Sequence, residues 1–332
     1  MRYYCVPRPG AGFVRRERDV PEPGPGQVLV RMLGWSVNFR DVMIAEGLYP
    51  KAVRPDVVAL SDGAGEVAGV GPGVQRWSRG DRVAATYFPR WVSGQATPDT
   101  TADELGGTVD GVLAEYVCLA EDAIVAVPAH LDHAEAATLP GAGVTAWRAV
   151  IEEGGPVAGR RVLTMGSGGL STFAVQFASL GGAHVVATSR SDEKLERLRD
   201  LGAADLINSV TTPAWGAAAA ELTGGGVDHV IDVGGGTIGQ SMLAARPGGR
   251  ISVLGALAPG SGADPLVVLA RQLTLQGLTN GSRASFEAMN RAVERHAMRP
   301  VIDKRFGFDD IAEACRYVRS AAHVGKVVLE AA

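Results

Sequence analysis

Short apolar segments alternate with helical segments between residues 160 and 256, and this rhythm constrains the fold more than any other feature of the chain. The segments "RRVLTMG", "HVVATS", "ADLIN", "VDHVIDVG" and "RISVLGA" are typical of short buried strands. Helices are predicted between them, near 170–180, 192–202, 213–222 and 237–245. Strands that alternate with helices at intervals of about 20 to 30 residues predict a doubly wound parallel sheet.

The chain before residue 125 has a different pattern. Segments such as "QVLVRML", "GEVAGVG", "DRVAATY" and "LAEYVCLA" are separated by Gly and Pro, which is typical of antiparallel strands joined by turns. The tail from 279 holds two helical segments and a last apolar segment, "GKVVLEA", and we expect it to return to the first domain. The sequence therefore predicts an α/β protein with a β-rich domain at 1–140 and 279–332 and a doubly wound domain at 141–278.

Composition and charge narrow the classes of function. The 332 residues carry a net charge of −4 with 20% charged residues, without the basic surplus that nucleic acids or anionic membranes attract. No apolar run reaches about 18 residues and no secretory signal opens the chain, so we expect a cytoplasmic protein with a small-molecule partner. Cys5, Cys118 and Cys315 are scattered, which argues against a disulfide framework and against a thiolate metal cluster.

A glycine-rich turn follows the first strand of the doubly wound domain. The sequence "VLTMGSGGLS" has the form G-x-G-G-x-S, with Ser171 in the place of the usual third glycine. Glycines let the backbone approach a pyrophosphate, whose charge is stabilised by the N-terminus of the next helix. This context predicts a dinucleotide-binding turn, and the alternative is a glycine turn without a ligand. The residues predicted to form it are Gly166, Ser167, Gly168, Gly169 and Leu170.

The end of the second strand predicts which dinucleotide is bound. An NAD enzyme ends this strand in an acid that holds the ribose 2′-hydroxyl, whereas this chain reads "ATSRSDEK". Ser189 takes the acid's place, Arg190 follows it, and Lys194 lies one turn further along. These groups accept a 2′-phosphate through charge-assisted hydrogen bonds, so we predict NADPH rather than NADH. The alternative is that Arg190 is a solvated surface cation.

Several motifs together resemble the medium-chain dehydrogenase/reductase superfamily over nearly the whole chain. They are "NFRD…GLYP", "LSDGAGEVAGVGPGVQRWSRGDRV", "AATLPGAGVTAW", "GSGGLSTFAVQFASLGGAHVVATSRSDEKLERLRDLGAADLIN" and "AHVGKVVL". The resemblance implies a GroES-like catalytic domain and a Rossmann domain. The long middle stretch looks most like bacterial zinc-type alcohol dehydrogenase-like proteins. "VNFRDVMIAEGLYP" also resembles quinone oxidoreductases and the enoyl reductase modules of polyketide synthases.

The metal ligands of the superfamily's zinc enzymes are not matched. Those enzymes hold the catalytic metal with a Cys, a His and a second Cys, and the corresponding positions here are Asn38, Ser61 and Gly141. The region 89–112, where relatives have a structural zinc loop, contains no cysteine. The six histidines provide no H-x₃-H pair. Zinc needs three or four converging N, S or O ligands, so we predict a protein without zinc.

The resemblance implies catalytic roles for residues in "NFRDVMIAEGLYP". It places Asn38 and Tyr49 so that they face the nicotinamide and the substrate, with Asn38 as a hydrogen-bond donor and Tyr49 as a donor of a proton or a hydrogen bond. Asp41 aligns with an acid that the family keeps beside its first metal ligand. We expect Arg40 and Asp41 to form an ion pair that positions this loop.

Residues outside the glycine-rich turn and the end of the second strand are also predicted to contact the cofactor. The resemblance places Thr145, at the start of a helix, near the nicotinamide, although a small helix-start residue is an equal alternative. It also aligns Lys326 with a basic residue that contacts the pyrophosphate in relatives. Gly234 and the pair Gly255–Ala256 follow strands at their carboxyl ends, where nucleotides lie in open sheets.

The chemistry that remains without a Lewis acid favours activated alkenes. Hydride transfer to the β-carbon of an enone or enoyl group, or to a quinone, yields a delocalised anion that a few hydrogen-bond donors stabilise. The sequence therefore predicts a zinc-independent NADPH-dependent reductase of such substrates. The alternatives are an NADP-dependent alcohol/carbonyl oxidoreductase without zinc and a non-catalytic NADPH-binding protein. The segment 271–279 reads as an edge strand, and relatives pair this edge, so a homodimer is expected.

Overall fold

The computed structural model describes residues 1–255 and 262–331. The chain divides into two structural units, Met1–Val144 with Asn280–Ala332, and Thr145–Thr279. The sequence patterns predict changes of domain at 140/141 and 278/279, and the observed changes of unit fall at 144/145 and 279/280. In the described residues, no helix combines the length and apolar character that crossing a membrane requires.

The first unit is built mainly on antiparallel strands. A small sheet has the strand order Val14–Glu17, Arg2–Val6 and Val57–Val58. A larger sheet runs in the order Ile302–Gly307, Lys326–Glu330, Gln27–Val37, Asp62–Val70, Arg82–Ala85 and Ile124–Ala126, and Tyr116–Ala120 pairs with Gln27–Val37 as well. The first two strands of this order are parallel. The C-terminal tail thus supplies two strands of the larger sheet.

The central strand Gln27–Val37 shows why this sheet forms. Val28, Val30 and Met32 are buried whereas Arg31 is exposed, because successive side chains of a strand point to opposite faces. Trp35 is buried as well, and its indole N–H donates a 2.6 Å hydrogen bond to the carbonyl of Val112. The α-helices of this unit are Phe39–Glu46, His133–Ala137, Arg283–Arg295 and Ile311–Arg319.

The second unit contains the predicted doubly wound sheet. Its parallel strands lie in the order Asp205–Asn208, His184–Ser189, Arg161–Met165, Val227–Asp232, Ala245–Val253 and Thr274–Gly277. In chain order this is 3-2-1-4-5-6, the arrangement of a Rossmann sheet. The α-helices between the strands are Gly169–Leu180, Asp192–Asp200, Trp215–Leu222, Ile238–Ala244 and Pro265–Ala270. The predicted fold class is confirmed, including the edge position of the strand in 271–279.

Two local predictions differ from the structure. Thr145 does not start a helix: it lies within Val144–Trp147, which continues directly from the π-helical segment Leu139–Gly143. The sequence pattern misses this run because its apolar residues are buried without a clear one-sided period. The many polar residues of the segment 89–112 predict a long polar loop between two strands, yet the segment contains the buried residues Trp91, Leu105 and Val112. Trp91 and its neighbour Phe88 therefore belong to the core.

Candidate functional site

The strand Gln27–Val37 leads directly into the helix Phe39–Glu46, and Asn38 lies at this junction. The backbone N–H of Asn38 donates to Oδ2 of Asp41 at 2.8 Å, which fixes the first turn of the helix. Asp41 is 2% exposed, and burial raises its pKa to about 6, although Arg40 and the Asn38 N–H favour the charged form. The predicted contact between Arg40 and Asp41 is present, with Nη1 at 3.5 Å from Oδ1.

The side chain of Asn38 is held by Lys326. The ammonium of Lys326 donates to Oδ1 of Asn38 at 2.5 Å and to the carbonyl of Val37 at 2.9 Å. An ammonium only donates, so the oxygen of the Asn38 amide must face Lys326 and the NH₂ must face away. This amide nitrogen, Nδ2, is buried and has no hydrogen-bond partner. Asn38 therefore presents a free donor in a place where a buried donor is normally paired.

Gly141 and Asp62 form the surroundings of this donor. A Cβ at Gly141 would lie 2.9 Å from Nδ2 of Asn38 and 2.5 Å from Oδ2 of Asp62, so the absent side chain leaves room at both groups. Asp62 is fully buried and accepts hydrogen bonds from the backbone N–H of Gly141, at 2.9 Å, and from the hydroxyl of Ser61, at 2.7 Å. The structure thus brings together the three positions that align with the family's zinc ligands.

The donor set at these positions does not fit zinc. Gly141 has no side chain, the Ser61 hydroxyl is bonded to Asp62, and Asn38 turns its amide nitrogen rather than its oxygen toward them. Among residues 1–255 and 262–331, no group of three or more His, Cys, Asp and Glu residues is placed to hold a metal ion. Zinc requires such a set of ligands. The side chains at these three positions therefore lack the ligand set of the family's zinc enzymes.

A second polar group, the Glu104 cluster, consists of Arg40, Tyr49, Lys51, Tyr87 and Glu104. The hydroxyls of Tyr49 and Tyr87 donate to the same carboxylate oxygen, Oε1 of Glu104, at 2.6 and 2.5 Å. Nε of Arg40 lies 3.2 Å from this oxygen, and Nζ of Lys51 lies 3.5 Å from Oε2. Glu104 is 2% exposed, so its charge is compensated almost entirely by these four side chains.

Burial and hydrogen bonding set the pKa values of this cluster. Burial alone would raise the pKa of Glu104, but the Arg40 guanidinium and the two tyrosine hydroxyls outweigh it, so the pKa is lowered. Burial and the nearby Glu104 carboxylate raise the pKa of Tyr49 to about 12 and that of Tyr87 well above its ordinary value. The Tyr49 hydroxyl is thus a weak acid that donates its hydrogen bond to Glu104, and its role as a donor of a proton or a hydrogen bond to the substrate stays a prediction.

Sequence reasoning missed Glu104 and underrated Tyr87. Glu104 lies in the segment "TADELGGTVDG", where its carboxylate is one of several acids with no periodic pattern around it. A signal was present in the aromatic residues before this segment, because Tyr87, Phe88 and Trp91 are candidates for the wall of an apolar pocket. The partner of Tyr87 nevertheless depends on a contact 17 positions away, which no local pattern indicates.

The glycine-rich turn of the second unit has the backbone that a pyrophosphate needs. Gly166 has a φ of +77°, a left-handed conformation that glycine adopts without strain. Gly168 is the N-cap residue of the helix Gly169–Leu180, and no side chain caps that helix. Ser171 is 2% exposed, and its hydroxyl donates to the carbonyl of Met165 at 2.6 Å, which ties the helix to the preceding strand. These residues fit a bound dinucleotide phosphate.

The predicted discriminating residues lie where the second strand ends. Ser189 is the last residue of His184–Ser189 and is buried, whereas Arg190 is exposed. Ser191 is the N-cap residue of the helix Asp192–Asp200 and accepts a hydrogen bond from the backbone N–H of Lys194. No acidic side chain occupies the position of Ser189 itself. The carboxylate of Asp192 lies near this strand end, where it accepts a 2.7 Å hydrogen bond from the amide of Asn208, the residue that pairs with Ser189.

Asp232 organises the loop that follows the fourth strand of the sheet. Its Oδ1 accepts from the backbone N–H groups of Gly234 and Gly235 at 3.1 and 2.9 Å, and its Oδ2 accepts from the Ser241 hydroxyl at 2.7 Å. Gly255 follows the neighbouring strand Ala245–Val253. Because the strands are parallel, these loops share one edge of the sheet with the glycine-rich turn and Ser189. Ala256 lies outside the described residues.

Two predicted cofactor contacts are not part of this edge. Lys326 belongs to the first unit, where its ammonium contacts Asn38 and Val37. Thr145 belongs to the helix Val144–Trp147 and is 8% exposed. A contact of Lys326 with a pyrophosphate and of Thr145 with a nicotinamide stay predictions.

The fold and these two groups of residues define a class of protein. A 3-2-1-4-5-6 parallel sheet with a glycine-rich first turn is a dinucleotide-binding unit, and the accompanying β-rich unit carries a free amide donor beside buried charges. This combination is that of a two-domain, nicotinamide-dependent oxidoreductase.

Comparison with known proteins identifies the family. Residues 24–129 match the alcohol dehydrogenase GroES-like domain, and residues 169–295 match the zinc-binding dehydrogenase family. A zinc-type alcohol dehydrogenase-like protein of Schizosaccharomyces pombe is 42% identical over 325 residues, which cover 95% of this chain and 94% of the relative. The chain belongs to the medium-chain dehydrogenase/reductase superfamily and is an oxidoreductase of this superfamily.

Solved structures agree with this assignment. A crystal structure from Sinorhizobium meliloti 1021, described as an alcohol dehydrogenase, has a TM-score of 0.92 and 39% identity, covering 99% of both chains. A 2-octenoyl-CoA carboxylase reductase, solved with NADP and 2-octenoyl-CoA, has a TM-score of 0.86 and 27% identity, covering 99% of this chain and 88% of that one. Structural relatives thus include proteins named as an alcohol dehydrogenase and as an enoyl-CoA carboxylase reductase.

Proposed function

We propose that this protein is a zinc-independent, NADPH-dependent reductase of activated C=C bonds or quinones, such as enones and enoyl derivatives. The observation that carries the proposal is the unpaired Nδ2 of Asn38, which lies beside Gly141 and Asp62 at the positions that align with the family's zinc ligands. A hydrogen-bond donor there suits a carbonyl oxygen that gains negative charge.

Asn38 is the proposed donor to the substrate carbonyl. Reduction of an activated alkene at its β-carbon produces an enolate, whose charge is shared between oxygen and carbon. A simple ketone instead produces an alkoxide, which loses several kcal/mol of stabilisation when no Lewis acid is present. One neutral amide donor is therefore better matched to the enolate. We propose that water protonates the α-carbon, because the Tyr49 hydroxyl is bound to Glu104.

The second unit is the proposed NADPH-binding domain. The backbone of Gly166–Leu170 is proposed to hold the pyrophosphate, and Ser189, Arg190 and Lys194 the 2′-phosphate. The loops at Gly234 and Gly255 are proposed to border the nucleotide. Bound NADPH supplies the hydride. The absence of an acid at Ser189 supports NADPH over NADH.

A substrate panel tests the reaction. Loss of NADPH absorbance is followed with 2-cyclohexen-1-one, a quinone, a saturated ketone and an aldehyde, before and after dialysis against a zinc chelator. We expect turnover of the enone or quinone, and no loss of rate after chelation. Turnover of the saturated carbonyls alone, or a chelator-sensitive rate that zinc restores, would reject the proposal.

Cofactor choice has its own test. We expect Arg190→Ala to weaken NADPH binding by about tenfold or more, since hydrogen bonds between charged groups contribute about 1.5–3 kcal/mol. NADH binding is expected to stay the same. Arg199→Ala is the matched control, because Arg199 lies on the adjacent helix and pairs with Glu196. Equal effects on NADH and NADPH would show that Arg190 does not read the 2′-phosphate.

A carbonyl reductase without zinc is the second candidate. The names of the yeast relative and of the Sinorhizobium structure favour it, because both are described in terms of alcohol dehydrogenases. The same panel separates the two, since this candidate predicts turnover of saturated aldehydes or ketones. A non-catalytic NADPH-binding protein, the third candidate, predicts tight NADPH binding without turnover of any panel member.

We also propose that the protein is a homodimer formed through the edge of the parallel sheet. Thr274–Gly277 pairs on one side with Ala245–Val253 and, within the described residues, is the last strand of the sheet. The neighbouring helix Pro265–Ala270 exposes Leu266 and Leu269 by 73% and 75%. An unpaired edge beside exposed apolar side chains favours association. Light scattering coupled to gel filtration tests this, and a monomer at micromolar concentration would reject it.

A further inference from the structure

We infer that Lys326 strengthens Asn38 as a hydrogen-bond donor: its buried ammonium binds Oδ1 of the amide and thereby polarises the unpaired Nδ2–H group toward the substrate oxygen. The inference rests on the proposed function and assigns Lys326 as a positioning residue. It replaces the role at the pyrophosphate that the family resemblance implies.

The strand pairing places Lys326 where this contact is forced. Lys326 begins the strand Lys326–Glu330, which pairs antiparallel with Gln27–Val37, with Val327 opposite Val37. The ammonium therefore lies beside the last residue of that strand and the residue after it. Its bonds to Val37 O and Asn38 Oδ1, at 2.9 and 2.5 Å, both stay within this corner. Lys326 is only 4% exposed, so water contributes little to its solvation.

A charge on one end of an amide acts on the other end. The ammonium withdraws electron density through the carbonyl of Asn38, which makes the Nδ2–H group more acidic and a stronger donor. Hydrogen bonds that are linked in a chain polarise one another in this way, and the effect is larger where the dielectric constant is low. Nδ2 is buried and free, so no other protein group takes up the increased donor strength.

The neighbouring acids make this cation necessary. Asp41 and Asp62 are buried close to Asn38, and Oδ2 of Asp62 borders the space that a Cβ at Gly141 would fill. Their negative charge opposes the charge that develops on a substrate oxygen. Burial lowers the pKa of Lys326, while Asp62 and Asp41 favour its charged form. The Lys326 ammonium bonds directly to the donor amide and offsets the field of the two carboxylates.

Two substitutions of Lys326 separate charge from packing. Lys326→Gln keeps an N–H donor but removes the charge, and Lys326→Met removes both. We expect kcat/KM for 2-cyclohexen-1-one to fall about tenfold in Lys326→Gln. This is less than the roughly 100-fold loss that follows removal of a whole oxyanion donor, because the Asn38 amide is still present. KM and the NADPH Kd are expected to change little. Lys304→Gln is the matched control, because Lys304 lies on the adjacent strand and is half-exposed.

A double-mutant cycle tests whether Lys326 acts through Asn38. The loss in Lys326→Gln is expected to disappear when Asn38 is already replaced by Ala, because the polarised group is then absent. Additive losses would overturn the inference. So would a weakened NADPH Kd with an unchanged kcat, which is the result that contact with the pyrophosphate predicts.

The carbonyl stretching frequency of bound 2-cyclohexen-1-one, measured with NADP⁺ so that no reduction occurs, gives a readout without turnover. We expect a shift to lower frequency in the wild-type protein relative to water, and a smaller shift in Lys326→Gln. Equal shifts in both proteins would overturn the inference and leave the Asn38 donor in place. No shift in the wild-type protein would reject the proposed function itself, together with the inference.

Discussion

The hydroxyl of Tyr49 donates a 2.6 Å hydrogen bond to the carboxylate of Glu104, a residue 55 positions further along the chain. The same oxygen also accepts a hydrogen bond from the hydroxyl of Tyr87 and lies 3.2 Å from Nε of Arg40. The segment after the helix Phe39–Glu46 is therefore tied to the segment around residue 104 by a buried charge. The Tyr49 hydroxyl is therefore hydrogen-bonded to Glu104, whereas a catalytic acid would have to give this proton to the substrate.

Tyr49→Phe tests this relationship. We expect kcat to fall less than about threefold and the free energy of unfolding to drop by about 1.5–3 kcal/mol, the range for a hydrogen bond to a charged group. Tyr87→Phe removes a bond to the same oxygen and is the matched comparison for stability. Steady-state kinetics and urea unfolding provide the two measurements. A kcat loss of 100-fold or more, with normal stability, would restore Tyr49 as the proton donor.

Glu104→Gln removes the charge that compensates Arg40. Breaking one partner of a buried ion pair costs about 3–5 kcal/mol, and we expect a loss of this size in the free energy of unfolding at neutral pH. The pKa of Glu104 is lowered in the folded state, so its contribution is fully present above the ordinary value of 4.5 and is lost as the pH falls through the lowered pKa.

Urea unfolding at several pH values measures this contribution. The difference between the wild-type protein and Glu104→Gln is expected to shrink toward acid pH, as Glu104 becomes protonated. Glu17→Gln is the control, because Glu17 pairs with Arg15 on the surface and is 68% exposed. A loss below about 1 kcal/mol in Glu104→Gln, the size of an exposed pair, would contradict the role of this carboxylate.

The sequence predicted those parts of the fold and the site that depend on local sequence patterns. The strands of the parallel sheet are continuous apolar runs, and Gly166 to Gly169 lie between a strand and a helix, so periodicity and turn chemistry were sufficient. Asn38 was found by alignment with a ligand position. The partner of its side chain, Lys326, was not found, because the contact joins residues 288 positions apart.

Glu104 shows the same limit from another direction. Its environment is made by side chains from three separate segments, and the acids near it in the sequence, such as Asp99 and Asp103, are less buried than Glu104. Burial of a charge is decided by whether partners converge in space, and no window of sequence contains that information. For this reason the predicted ion pair of Arg40 with Asp41 was found, whereas the closer pair with Glu104 was not.

Gly141→Ala tests the room beside the donor amide. The added Cβ would lie 2.5 Å from Oδ2 of Asp62 and 2.9 Å from Nδ2 of Asn38, distances that force one of these groups to move. Overpacking of this kind lowers the free energy of unfolding by about 1–3 kcal/mol. We expect the loss in kcat/KM, converted to a free energy, to exceed this loss of stability. Gly69→Ala is the control, because its Cβ would meet only the Leu29 side chain at 3.9 Å. An unchanged kcat/KM would show that this space is not used.

His229 is expected to make the protein less stable in mild acid. It lies in the strand Val227–Asp232, is 2% exposed, and its Nε2 lies 2.8 Å from the Ser252 hydroxyl oxygen. Burial, with Arg250 and Arg160 adding to it, lowers the pKa of His229 from 6.5 to about 4. The folded state therefore disfavours the protonated ring, and the stability that the neutral ring provides is fully present above pH 6.5 and declines as the pH falls toward 4.

The decline has a measurable size and a distinct window. We expect the free energy of unfolding to fall by about 3 kcal/mol over this range, since each unit of pKa difference corresponds to about 1.4 kcal/mol. His229→Gln should flatten this part of the profile, while His296→Gln, at an exposed position, should leave it unchanged. The contribution of Glu104 is constant above its ordinary pKa of 4.5, and Asp41, whose pKa burial raises to about 6, titrates alike in both proteins. The difference between His229→Gln and the wild-type protein in urea midpoints between pH 5 and 7 therefore reports the histidine. An identical pH profile for His229→Gln and the wild-type protein would show that protonation of His229 does not cause the loss of stability in acid.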